Sequence, residues 1–124
     1  MRVIKNKVPA VLKLWADTIA LRSPKAMTRL YDRNAILVGT YSEPMEFGEK
    51  QIHDYFVDFL DKDGLKCEIT SNTIQEFRDE AFFICSGTYS FSFEGKTVKA
   101  RYSICYKRGI NGFKIVNQHS SELP

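Results

Sequence analysis

The second half of this chain carries no helical period. Residues 66–77, 81–93, 97–107 and 113–121 alternate in polarity, and turn signals at Arg78-Asp79, Glu94-Gly95 and Gly109-Ile110-Asn111-Gly112 part them. Runs of period two joined by short turns predict an antiparallel meander. Successive strand side chains point to opposite faces, so each run sorts its residues in two. In 81–93, Cys85, Gly87, Tyr89, Phe91 and Phe93 share one face and Ser86, Thr88, Ser90 and Ser92 the other. In 97–107, Val98, Ala100, Tyr102, Ile104 and Tyr106 oppose Thr97, Lys99, Arg101, Ser103 and Cys105. Each strand thus has an aromatic face and a polar face.

The first half reads as helices. Val8, Val11, Leu12, Trp15 and Ile19 recur at three- and four-residue spacing and predict an amphipathic helix over 8–21, with Pro9 tolerated only in its first turn. Ser23-Pro24 is an N-cap followed by proline at the first helical position, opening a short helix through Leu30 and Tyr31. Ala35 to Val38 form a short apolar run, and the stretch from Tyr41 to Gly48 is a loop or irregular strand. Ile52, Tyr55, Phe56, Phe59 and Leu60 then mark a third helix over 49–63, with Gly64 as its C-cap. Helices first and strands afterwards predict an α+β fold, with three N-terminal helices gathered on one face of a bent antiparallel sheet. At 124 residues the chain holds one domain, 1–124.

Composition excludes several classes. With 44% hydrophobic and 27% charged residues the chain is not disordered, and its 18 basic and 15 acidic side chains are interspersed, which predicts no nucleic-acid partner. Eighteen apolar residues never run together and the N-terminus lacks a signal-peptide core, so the chain reads as soluble, cytoplasmic and without a membrane partner. Cys67, Cys85 and Cys105 have no C-x-x-C spacing and sit in apolar runs, which predicts reduced core thiols and no metal site. There is no G-x-S-x-G, H-E-x-x-H, phosphate-binding loop or dinucleotide fingerprint.

The last run, Phe113-Lys114-Ile115-Val116-Asn117-Gln118-His119-Ser120-Ser121, turns from apolar to hydrogen-bonding along its length. Strict alternation places Phe113, Ile115, Asn117, His119 and Ser121 on one face, the pattern of a pocket floor. Two readings of the polar strand face follow. Either it meets water, the default for an antiparallel sheet, or helices cover it partly and leave a cavity into which Thr88, Arg101, Ser103 and His119 point. In the second case the aromatic face packs against another subunit.

Several short motifs occur in one order: Trp15 in the first helix, Ser23-Pro24 before Leu30-Tyr31, Asp32-x-x-Ala35, Ile52-x-x-Tyr55-Phe56, and the terminal Val116-x-x-His119-Ser120-Ser121-x-x-Pro124. Together they resemble the cone-shaped nuclear transport factor 2-like, or SnoaL-like, superfamily. Within it the chain is most similar to the association (hub) domain of calcium/calmodulin-dependent protein kinase II and its stand-alone bacterial relatives. The resemblance implies a sheet wrapped round a pocket and self-association into a homodimer or larger ring. It also implies a pocket for a small carboxylate or aromatic ligand, lined by Trp15, Tyr55, Thr88, Arg101, Ser103, Asn117 and His119. Thr88 stands where the kinase hub has a second strand arginine, and Asn117 where it has a further histidine. Arg101 offers bidentate donors to an anion, and His119 offers an imidazole able to transfer protons.

Two functions are therefore open. One is an oligomerising small-ligand-binding domain without cofactor. The other is a cofactor-independent isomerase, cyclase or dehydratase using His119 in the cone. For the second, Asp17, Asp32, Asp54 and Asp58 lie in or beside helices, so no aspartate base stands on the face assigned to the pocket.

Overall fold

A computed structural model describes residues 1–79 and 81–124. Strand β1 (Arg2–Lys5) leads into α1 (Ala10–Ile19) and α2 (Pro24–Thr28), and β2 (Tyr31–Val38) and β3 (Glu46–Phe47) precede α3 (Gly48–Phe59). The strands β4 (Lys66–Glu76), β5 (Phe82–Phe93), β6 (Lys96–Gly109) and β7 (Gly112–Glu122) follow. They assemble in the order β1-β4-β5-β6-β7-β2-β3, a curled, mainly antiparallel sheet in a mixed α+β fold.

The four alternating runs form the central meander. What extends it came from segments without a clear alternating signal. Arg2–Lys5 adds to β4, the apolar run ending at Val38 lengthens back to Tyr31, and β2 lies parallel to β7 rather than antiparallel. The Ile115 N–H donates to the Leu30 carbonyl at 3.0 Å, which ties the start of β2 to β7.

The helices are shorter than their periodicity predicts. Pro9 is extended (φ −70°, ψ 157°) and acts as the cap, its carbonyl accepting from Leu12 and Lys13, so α1 starts at Ala10. Ser23 Oγ accepts from the Ala26 N–H at 3.1 Å, the cap that Ser23-Pro24 predicts. That helix stops at Thr28 because the sheet takes Tyr31. Helix α3 ends at Phe59, and Gly64 (φ +71°) turns the chain in the following loop instead of capping it directly.

The aromatic strand face points inward. Tyr89, Phe91, Tyr102 and Tyr106 are all buried, Trp15 of α1 stacks on Tyr89 with centroids 5.5 Å apart, and Phe59 of α3 meets Phe91 edge-on at 5.3 Å. Helices therefore cover the aromatic face, and Thr88, Arg101 and Ser103 are on the other. The polar face is the one left uncovered by the helices; the cavity reading, with helices over the polar face and aromatics turned toward another subunit, does not hold. The apolar stripes of α1 and α3 need an apolar partner. Burying each large side chain stabilises by about 1.5–3 kcal/mol, more than a hydroxyl-lined face could return.

Two β-bulges decide which polar residues join that interior. In β4, Ile69 pairs with Tyr89 and Ser71 with Thr88, leaving Thr70 as the extra residue. In β7, Ile115 pairs with Tyr106 and Asn117 with Cys105, leaving Val116. An extra residue reverses the parity of all that follows it. Beyond Val116, Gln118 and Ser120 are buried, 2% and 5% exposed, while Asn117 and His119 are on the outer surface. Gly87 accommodates the first bulge: a Cβ there would lie 2.0 Å from the Ser71 carbonyl oxygen.

Candidate functional site

Around Trp15 and Tyr89 the inward polar groups of the curled sheet satisfy one another. Trp15 Nε1 donates to the Tyr31 hydroxyl at 3.0 Å, and that hydroxyl donates to Gln118 Oε1. The Tyr89 hydroxyl donates to Ser120 Oγ at 2.5 Å, and Ser120 Oγ is also bonded to Thr40 Oγ1 at 2.5 Å. Burial pushes the Tyr31 and Tyr89 phenols well above their ordinary pKa, with desolvation the largest cause in each, so both remain protonated donors. The space left among Trp15, Tyr55, Phe59, Tyr89, Gln118 and Ser120 is only about 10 Å³. That is about one water probe, too little for any organic ligand.

A larger pocket, about 550 Å³, opens beside this filled interior between α3 and the connection from β2 to β3. Its walls include Tyr41, Ser42, Glu46, Asp54, Tyr55, Asp58, Phe59 and Lys62. Small-molecule sites commonly have this volume. Helix α3 supplies Tyr55, Asp58 and Phe59 at helical spacing, with Tyr55 stacked on Phe59 at 5.5 Å. The Tyr55 ring lies against the Gly39 backbone, where a Cβ would come within 2.3 Å of Cε1. A backbone hydrogen bond from Thr40 also holds Tyr55, whose phenol is raised far above its ordinary pKa chiefly by burial.

Glu46 is the distinctive group here. Strand β3 places it opposite Leu37 of β2, and it is only 9% exposed. Ser42 Oγ bonds Glu46 Oε1 at 2.5 Å, whereas buried Oε2 has no hydrogen-bond partner among the described residues. The single Ser42 proton has a second acceptor, the Pro44 carbonyl at 3.1 Å. Lys62 Nζ instead lies 4.6 Å from the Phe59 ring centroid and 5.5 Å from that of Tyr41, donating to the Phe59 carbonyl at 2.7 Å. Desolvation lowers the Lys62 pKa.

A family model for the SnoaL-like domain matches residues 8–124. The chain belongs to the SnoaL-like domain family. No curated protein matches its sequence. Among solved structures it is similar to a candidate calcium/calmodulin-dependent protein kinase II association domain from Xanthomonas campestris, with 27% identity, coverage of 100% of this chain and 98% of that one, and a TM-score of 0.86. A candidate ketosteroid isomerase from Parabacteroides distasonis shares 18% identity over 92% of this chain and 83% of its own, at TM-score 0.73. A second candidate association domain, from Thiobacillus denitrificans, is 14% identical over 86% of this chain and 87% of its own, at TM-score 0.71. The latter two are similar in fold alone.

In this SnoaL-like chain the seven residues singled out from sequence divide between two places. Trp15 and Tyr55 border the filled interior, and Tyr55 also lines the open pocket. Thr88, Arg101, Ser103, Asn117 and His119 are on the outer sheet face. There Thr88 bonds Thr70 and Ser71 at 2.8 and 2.7 Å, Arg101 Nε reaches Ser121 Oγ at 3.3 Å, and Ser103 pairs in register with Ser86 and His119. His119 is thus no base within the sheet's curl, a consequence of the Val116 bulge. His53 is half-buried, its Nδ1 3.8 Å from Asp54.

Glu46 and Ser42 were not legible as site residues, because a loop with Pro44 and Gly48 has no period to assign its side chains. Its one available signal was two glutamates, Glu43 and Glu46, between the aromatics Tyr41 and Phe47, with nothing to tell which of them turns inward. Cys67, Cys85 and Cys105 are free thiols, and no helix among the described residues is long and apolar enough to cross a membrane. Among the described residues no group of three His, Cys, Asp or Glu side chains gathers as a metal site.

Proposed function

We propose that this protein is an oligomerising domain of the association type, pairing with a second copy through the outer sheet face and holding a small ligand beside α3. The observation that carries the reading is the division of the sheet. Among Trp15, Tyr89 and Ser120 its inner face leaves only about 10 Å³, while among the described residues no helix lies over the outer face of β5, β6 and β7, where Arg101, Ser103 and His119 are exposed. These are long strands of 12, 14 and 11 residues, whose outward Ser86, Thr88, Arg101, Ser103 and His119 form adjacent ranks. Short hydroxyls let two sheets approach closely, and Arg101 and His119 supply donors at their seam. The 27% identity with the Xanthomonas association-domain candidate, over nearly the whole of both chains, supports the same reading.

Light scattering on the purified chain tests it. A dimer or larger ring is expected, and Ser103→Arg, which places a cation beside Arg101 on both copies, should drive it to monomer. A monomeric wild-type protein, or an assembly indifferent to Ser103→Arg, overturns the outer-face proposal.

A further inference from the structure

The pocket beside α3 has a chemical preference opposite to that of a carboxylate site. Three carboxylates, Glu46, Asp54 and Asp58, face one ammonium, Lys62, along its walls. Asp54 is occupied by Lys50 at 2.8 Å, but Glu46 forms no ion pair among the described residues and keeps Oε2 buried without a donor. A buried carboxylate with an open lone pair is costly unless something donates to it. The remaining wall is aromatic: Tyr41 stacks on Phe59 at 6.1 Å and Tyr55 stacks on the same ring at 5.5 Å. The chain itself rests an ammonium on these rings, since Lys62 Nζ sits within 5.5 Å of both the Tyr41 and Phe59 centroids.

We propose that this pocket binds a primary ammonium carried on an aromatic or apolar body, with Glu46 as its counter-ion and Tyr41, Tyr55 and Phe59 as its walls. Ser42 acts as the latch. Its proton moves from Glu46 Oε1 to the Pro44 carbonyl, and the incoming N–H groups take its place on the carboxylate. An anionic ligand of the same shape would meet three carboxylates and no free donor of comparable burial. The proposal rests on the ligand-pocket part of the function above and is independent of the sheet-face assembly.

Calorimetric titration with three probes sharing one ring body tests it: phenethylamine, hydrocinnamate and phenethyl alcohol. Phenethylamine should bind and the other two should not. Glu46→Gln should weaken the amine at least about tenfold, the loss of one charge-assisted hydrogen bond, and Lys62→Met should tighten it by removing the competing cation. Should Glu46→Gln fail to fold by circular dichroism, Asp58→Asn at an exposed position replaces it, with a smaller loss expected. Preferred binding of hydrocinnamate, undiminished amine binding in the carboxylate variant, or no binding of the amine overturns the proposal. Light scattering on the same samples reports the assembly separately, so a failed pocket and a failed interface give different results.

Discussion

The interior of the curled sheet and the pocket beside α3 share Tyr55 and Phe59 as a common wall, yet they treat polar groups in opposite ways. Inside, Trp15, Tyr31, Gln118, Tyr89, Ser120 and Thr40 bond one another and leave no room. Outside, a carboxylate is buried with one oxygen unpartnered and about 550 Å³ open beside it. The one other buried side-chain atom without a partner among the described residues is the Tyr106 hydroxyl, a neutral group beside Phe83, which costs far less to leave unpaired than a carboxylate oxygen. A closed polar set specifies packing; an open one is available for recognition.

The largest expected effect comes from alkali. Burial raises the Cys67 thiol to about 12 and Cys85 to about 11, and it raises the Tyr31, Tyr89, Tyr102 and Tyr106 phenols further. All are acids that the folded state keeps protonated. Above the ordinary thiol value of 9.0 only the unfolded chain releases these protons, so stability is intact below that pH and falls as pH climbs toward the folded values. Urea titrations should show the midpoint dropping steadily from about pH 9 upward. A midpoint that stays level to pH 11 would contradict the sealed interior.

Next is Trp15→Ala, which removes the stack on Tyr89 and the donor to Tyr31. It should cost about 3–5 kcal/mol in chemical denaturation. A loss below about 1 kcal/mol, the size of a surface change, would mean that the interior is loosely packed. The smallest stability effect belongs to Tyr41→Ala on the pocket side. Tyr41 is 47% exposed, so its removal should shift unfolding by less than about 1 kcal/mol while weakening amine binding severalfold. If Tyr41→Ala instead unfolds the protein, the pocket wall is part of the core and the contrast between the two regions disappears.

Period-two alternation was enough to place β5 and β6, because neither strand is bulged internally and each residue's face follows from its neighbours. It failed in β7 at one residue. Val116 is an extra residue opposite β6, and from there His119 and Asn117 exchange faces with Gln118 and Ser120. The resemblance to the SnoaL-like superfamily was legible in scattered motifs, since helix stripes and the terminal strand are read from local spacing. The ligand pocket was not, because Glu46 and Ser42 belong to a connection whose side-chain directions depend on pairing with β2.

The sequence by itself determined the α+β class, the central meander and the amphipathic helices, because these follow from the period of polarity along a few turns or strands. Only the tertiary structure decided which sheet face the helices cover, where the bulges reverse it and which carboxylate oxygen is left without a donor among the described residues. Those outcomes depend on contacts between segments far apart in the chain: Tyr31 with Gln118, Thr40 with Ser120 and Tyr102 with Ser71. No local pattern encodes such contacts, since each pairing is set by how distant elements fill the same space.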